Sequence, residues 1–301
     1  TSCDGKKKMY ELLSDQKRLY FYQVGQGADR EYVRPLIKSE VTYLIKELKK
    51  RFDIDVTDDS IREAAKLVNA ERESILNLMA IQKSNPPAAW GGEIFKALEE
   101  HRMLPDIKDR IAANKRTREE LLAKESPVHK SARRILVTGC PMSGVYSKIV
   151  NTIESNGGVV VAFENCEVLK SAIRHFDTEN EDVLEAFADC YQNTACAIMS
   201  PNTIRFDLIQ QLAKDYQADG VLDVTLQTCH PYTVERDKMM RLCKDTIKIP
   251  YMAVETDVSD SDVGQLATRI TAFMEMIITL STAMMIKGVK PTSRILWISF
   301  R

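Results

Sequence analysis

In the second half of the chain, short apolar, β-branched runs alternate with stretches of helical period. ILVTG, VVVAFE, VLDVTL and YMAVE read as strands, with a shorter run near CAIM. Between and after them, GVYSKIVNTIESNGG, EDVLEAFADCY, NTIRFDLIQQLAKDYQ, ERDKMMRLCKD and SDVGQLATRITAFMEMI read as helices. This alternation predicts a parallel sheet with helices on both faces. The first half reads as mostly helical. Lys7 to Leu13 follows Cys3 as a short helix, and RPLIKSEVTYLIKELKKRF repeats Leu36, Ile37, Val41, Leu44, Ile45 and Leu48 at helical spacing. Asp58-Asp59-Ser60 reads as the cap of a longer helix ended by Pro86-Pro87. GGEIFKALEEHRML reads as a further helix, and DRIAANKRTREELLAKESP as a solvated helix and linker.

The fold class expected is α/β: two Rossmann or flavodoxin-like domains with parallel sheets and added helices. The boundary falls near Pro127 to Ser131, giving 1–130 as the helical remainder of the first domain and 131–301 as the second. The opening Thr1-Ser2-Cys3-Asp4-Gly5 has no initiator Met and reads as the end of a strand. It predicts that the first domain is truncated at its N-terminus and that a longer protein continues upstream.

Composition adds exclusions more than assignments. The chain has 301 residues, 44% hydrophobic and 28% charged, with a net charge of −1. That balance leaves no electrostatic footprint for nucleic acid or an anionic membrane. The longest apolar stretch, ITAFMEMIITLSTAMMI, has 17 residues with Glu275 inside it. A spanning helix needs about 20, so the stretch reads as a buried helix. Seven cysteines are an odd number and lack the spacing of a small secreted scaffold. A reducing cytoplasm is therefore expected.

Four of those cysteines stand at the edges of apolar β-type runs: Cys140, Cys166, Cys196 and Cys229. Cys140, Cys166 and Cys229 fall where a strand hands over to its loop. In an open α/β sheet those ends meet at one crevice. Thiols far apart in sequence then converge, an arrangement that suits a metal or iron–sulfur cluster better than a disulfide framework. Cys190 and Cys243 lie in helical patterns and read as packing residues. His230 and Pro231 follow Cys229. His230 reads as a polar neighbour of the ligands, with ligand and proton donor as the other readings.

Other chemistries find little support. Gly139-Cys140-Pro141-Met142-Ser143-Gly144 has the outline of a phosphate loop, yet Val145 and Tyr146 stand where a Walker loop needs Lys and Ser or Thr. The loop reads as a tight strand-to-helix turn, or as a place where Cys140 becomes a thiolate at a helix N-terminus. No CxxC pair, ferredoxin-type cysteine run or GxSxG motif occurs, and there are four histidines in all.

The stretches CDGKKKMYELL, RILVTGCPMSGVYSKIVNTIESNGGVVVAFENCE, CAIMSPNTIR, DGVLDVTLQTCHPYTVE and IPYMAVETDVSDSDVGQLATRITAFMEM resemble the 2-hydroxyacyl-CoA dehydratase and benzoyl-CoA reductase superfamily. CDGKKKMYELL and the TGCP loop are most similar to its double-cubane cluster branch. The resemblance runs from Cys3 to about Met276, while the final KGVKPTSRILWISFR matches nothing recognisable. It implies [4Fe-4S] cubanes, sulfide-bridged in the double-cubane branch, held by Cys3, Cys140, Cys166, Cys196 and Cys229. It also implies a homodimer, an oxygen-sensitive anaerobic chemistry and a separate ATP-hydrolysing iron–sulfur activator, with ATP bound on that partner alone. Lys6, Lys7 and Lys8 would then offset cluster charge or dock the partner, or be a solvated helix start. Three activities follow: a reductase component acting on small unsaturated molecules, a subunit of an (R)-2-hydroxyacyl-CoA dehydratase with one [4Fe-4S] cluster, or a non-catalytic iron–sulfur electron carrier.

Overall fold

The structure is a computed structural model and describes residues 3–287. Thr1 and Ser2, together with the C-terminal residues 288–301, lie outside the described residues, and so does most of KGVKPTSRILWISFR. The chain forms two compact units that interleave: Thr1–Arg72 with Arg174–Arg205, and Glu73–Ile173 with Phe206–Arg301. They do not divide at a single position such as the 127–131 segment.

The second unit carries the sheet. Its strands are β1 (Arg133–Gly139), β2 (Gly158–Glu164), β3 (Gly220–Leu226) and β4 (Tyr251–Thr256). All pair in parallel, in the order β2-β1-β3-β4. The register sets Thr138 against Glu164 on one side and against Asp223 on the other. β1, β2 and β3 are buried almost throughout, which is why apolar residues dominate them. Around them lie the helices α4 (Gly91–Arg102), α5 (Ile107–Leu122), α6 (Tyr146–Ser155), α7 (Leu169–Ala172), α10 (His230–Arg241) and α11 (Val263–Lys287). α6 buries Ile149, Val150 and Ile153. α11 buries Leu266, Ile270, Phe273, Met274 and Ile277, one helical stripe, while Glu275 faces out. Up to Leu280, where burial is described, the apolar C-terminal stretch thus turns one face inward. Among the described residues no helix is long and apolar enough to cross a membrane.

α4 approaches β2 so closely that a Cβ on Gly91 would run into the Val160 carbonyl. Its first turn is capped by Glu154, whose Oε1 accepts from the Gly91 N–H at 2.7 Å and the Gly92 N–H at 3.3 Å. Burial of that carboxyl outweighs these bonds and holds it up at about 7.

The first unit is helical among its described residues. α1 is Asp4–Leu13, α2 is Val33–Phe52, α3 is Asp58–Ala80 and α8 is Val183–Gln192. α2 turns Val33, Ile37 and Val41 onto Ala188 of α8, with Phe187 and Tyr191 around them. Along this contact Arg34 pairs with Glu185 and with Asp189 at 2.6 Å, and Lys38 pairs with Asp182 at 2.7 Å and Glu185 at 2.8 Å. α1 buries nothing, and Lys8 pairs with Glu11 on its surface at 2.7 Å.

Two local expectations are corrected. The cap of α3 is Thr57 rather than Asp58-Asp59-Ser60: the Ser60 N–H donates to Thr57 Oγ1 at 3.2 Å and the Thr57 N–H donates to Ser60 Oγ at 2.9 Å. The run near CAIM is no strand. It folds as turns, with the Cys196 N–H on the Thr194 carbonyl at 2.9 Å and the Met199 N–H on the Cys196 carbonyl at 2.9 Å. Its apolar side chains reflect the burial of Ala195 and Met199, not an extended backbone.

Candidate functional site

β1 leads to β2 on one side and is flanked by β3 on the other, so the strand order reverses between β1 and β3. The carboxyl end of such a reversal is where open α/β sheets bind ligands. Cys140 directly follows β1, and Cys229 lies three residues past β3. The sequence-predicted convergence holds for these two, and their side chains are hydrogen-bonded to each other.

Backbone geometry brings them together. Gly139 adopts φ +120°, and a Cβ there would run into the Val224 carbonyl. Glycine lets β1 run against β3 to its last residue, and the Cys140 N–H extends the ladder by donating to the same carbonyl at 2.9 Å. On the other side the chain turns at Thr228 (φ 69°). Cys229 then becomes the N-cap of α10, with Pro231 in the first helical turn. Pro231 opens a helix, so the loop expected after Cys229 is only the turn before it.

The two thiols are shifted in opposite directions. Cys140 is buried and donates its S–H to the Cys229 sulfur, which pushes the Cys140 thiol far above the usual range. That bond is the first cause that lowers the Cys229 thiol, to about 6; the Tyr232 N–H and the charges of Lys170 and His230 lower it further against the opposing burial. The helix N-terminus adds to the same effect. The position at a helix N-terminus read for Cys140 is held by Cys229 instead. α6 begins only at Tyr146, too far on to act on Cys140.

The other cysteines are placed as follows. Cys166 is exposed, two residues past β2. Cys3 is the N-cap of α1, and Cys196 lies in the turn described above. Both belong to the first unit, so Cys196 does not repeat the strand-end position. Cys190 is buried with Ala65, Phe176 and Ala186, with Arg72 Nη1 at 3.8 Å from its sulfur. Cys243 is fully buried in the core of the second unit, within a π-helical turn Leu242–Ile247. His230 is exposed at the start of α10.

Beside the thiols lies a polar group that the sequence reading did not identify. Lys170 and Glu164 are 3% and 0% exposed and pair at 3.0 Å. Thr138 Oγ1 donates to Glu164 Oε2, and Lys170 Nζ donates to Tyr232 Oη and to the Gly139 carbonyl, the latter at 3.2 Å. Asp223, buried in β3, accepts from Tyr251 Oη at 2.9 Å, and burial together with that carboxylate pushes the Tyr251 hydroxyl up. A signal was present: Thr138, Glu164 and Asp223 are polar residues inside strands that otherwise read as fully apolar.

Against known families, the model for 2-hydroxyglutaryl-CoA dehydratase, D-component, matches residues 1–277. The chain belongs to that family. Among its relatives, YjiM of Escherichia coli (strain K12), which carries the name of a dehydratase subunit, is 40% identical over 281 residues, covering 92% of this chain and 73% of that protein. The (R)-phenyllactyl-CoA dehydratase beta subunit of Clostridium sporogenes is 22% identical over 279 residues, covering 91% and 73%. A benzoyl-CoA reductase subunit from Thauera aromatica is 24% identical over 309 residues, covering 92% and 68%.

As a D-component family member, the chain is expected to offer sulfur donors, and the site supplies them in part. Two adjacent cysteine sulfurs are soft ligands suited to iron–sulfur or thiophilic metals once ionised. Among the described residues no three His, Cys, Asp or Glu side chains gather as a metal site. Cys140 and Cys229 fit as two ligands of a larger set.

Proposed function

We propose that this D-component family member is the cluster-carrying subunit of a double-cubane type reductase. It accepts low-potential electrons from an ATP-hydrolysing iron–sulfur activator and delivers them to a small unsaturated molecule. The observation that carries the reading is the hydrogen-bonded Cys140–Cys229 pair at the reversal point of the parallel sheet. An iron–sulfur cluster bound there would supply one-electron chemistry at a potential tuned by charge, hydrogen bonds and exposure.

The residues have distinct tasks in this reading. Cys229, ionised near neutrality, binds metal without first losing a proton, whereas Cys140 gives its proton up on binding. In this reading Cys166, exposed beyond β2, is a third ligand, and Cys3 and Cys196 complete the proposed set. His230, exposed at the start of α10, is a polar neighbour of the ligands, with proton donor as its other reading. The chain works as a homodimer in an anaerobic cytoplasm, and ATP stays on the activator.

A second reading, a subunit of an (R)-2-hydroxyacyl-CoA dehydratase with one [4Fe-4S] cluster, is favoured by the family description and the names of two relatives. Iron and acid-labile sulfide per chain, measured with EPR on anaerobically prepared protein, separate the two. Two cubanes' worth supports the reductase, and one cubane's worth supports the dehydratase. Zinc without sulfide overturns both.

A further inference from the structure

Lys170 lies in α7, six residues past the end of β2, at 3% exposure. Its ammonium has three N–H groups and three acceptors. One is the Gly139 carbonyl at 3.2 Å, in the peptide that leads into Cys140. The second is the Tyr232 hydroxyl, three residues past Cys229. The third is Glu164 Oε1 at 3.0 Å, at the last position of β2. The Tyr232 ring also lies under the ammonium, 4.7 Å from Nζ to its centroid, and the Tyr232 N–H bonds the Cys229 sulfur. One cation thus ties the end of β1, the end of β2 and the first turn of α10.

Stability alone is a poor reason for such a group. Replacing a buried ion pair by apolar residues is often neutral or favourable, because desolvation offsets the attraction. What the pair does provide is a fixed geometry and a fixed charge beside two sulfurs. We infer that Lys170 is the positioning residue of the thiol pair: holding the Gly139 carbonyl and the Tyr232 hydroxyl at once, it sets Cys140 and Cys229 side by side and backs their bound metal with positive charge. The inference rests on the reading of the pair as metal ligands.

The test uses the full-length apo chain, kept reduced and titrated with Cd2+, with thiolate-to-cadmium absorbance as the signal. The part of the signal lost in Cys140→Ser reports the pair. Lys170→Met leaves Glu164 as a buried lone charge and is prone to unfold the chain. The double variant Lys170→Met/Glu164→Gln is therefore the main one, with its folding checked by melting. The expected result is that this folded double variant binds Cd2+ at the pair at least tenfold more weakly than wild type. Glu164→Gln, which keeps the cation and drops its counter-charge, binds as tightly or more tightly. A purely structural role would weaken both in step with their loss of melting temperature. Wild-type affinity in a double variant that melts like wild type overturns the inference. If Cys140→Ser and wild type bind alike, the pair is no ligand set, and the functional reading falls with the inference.

Discussion

Two ion-pair groups in this chain use the same residue types in opposite surroundings. On the α2–α8 contact, Lys38 and Arg34 meet Asp182, Glu185 and Asp189 in a ladder open to water. At the carboxyl end of the sheet, Lys170 and Glu164 pair at 3.0 Å with 3% and 0% exposure, tied into Thr138, Gly139 and Tyr232. Solvent screens the first group, so each pair adds little. The second has lost its hydration and holds together only because every partner is present. Chain geometry is cheap to maintain with the first kind of interaction. The second kind is kept where charge and position must be fixed in a dry place, and here that place borders two thiols.

The sharpest way to break the comparison is to remove one partner from each group. Lys170→Met strands the Glu164 carboxylate and should destabilise the chain by about 3–5 kcal/mol, with Lys170→Met/Glu164→Gln recovering most of it. Urea unfolding of the two variants checks this, and equal losses would contradict it. Next in size is the pH response of Glu154. Its carboxyl is raised to about 7, so above the ordinary range of an unfolded carboxyl the folded chain holds a proton that the unfolded chain has lost. Stability from this group is full below about 4.5 and is lost as pH rises through 7, by up to roughly 3 kcal/mol. Glu154→Gln should flatten that slope in urea midpoints taken at pH 5 and pH 8.

Smaller in energy but more specific is the titration of Cys229. Alkylation of that thiol should rise with a midpoint near pH 6, and Cys140→Ala should move the midpoint up toward the ordinary thiol range, because the S–H donor is gone. An unmoved midpoint would mean that the sulfurs are not bonded. The smallest effect belongs to the open ladder. Lys38→Ala should leave the melting temperature nearly unchanged, and a loss as large as that of Lys170→Met would erase the distinction drawn between the two groups.

Much of the sheet was legible because buried parallel strands must be apolar on both faces, and VVVAFE and VLDVTL can hardly be anything else. The same rule misled at CAIM, where burial of Ala195 and Met199 in a turn produces the same composition. Cys140 and Cys229 were legible as strand-end residues, but which of them caps a helix was not, because that turns on where α6 and α10 start. Lys170 was invisible, since a lysine in ENCEVLKSA reads as a surface residue. Only the placement of Gly139, Glu164 and Tyr232 around it reveals a buried, fully partnered ammonium. The interleaved units were also out of reach, because Arg174–Arg205 joins a chain segment more than a hundred residues earlier.

In the proposed function the sulfurs at the end of the sheet bind metal and those in the apolar cores do not. Iron per chain after anaerobic reconstitution, compared between Cys140→Ser and Cys229→Ser on one side and Cys190→Ser and Cys243→Ser on the other, tests it most directly. The first two variants should lose iron and change the EPR spectrum while the last two keep both. Full iron with an unchanged spectrum in Cys229→Ser would contradict it.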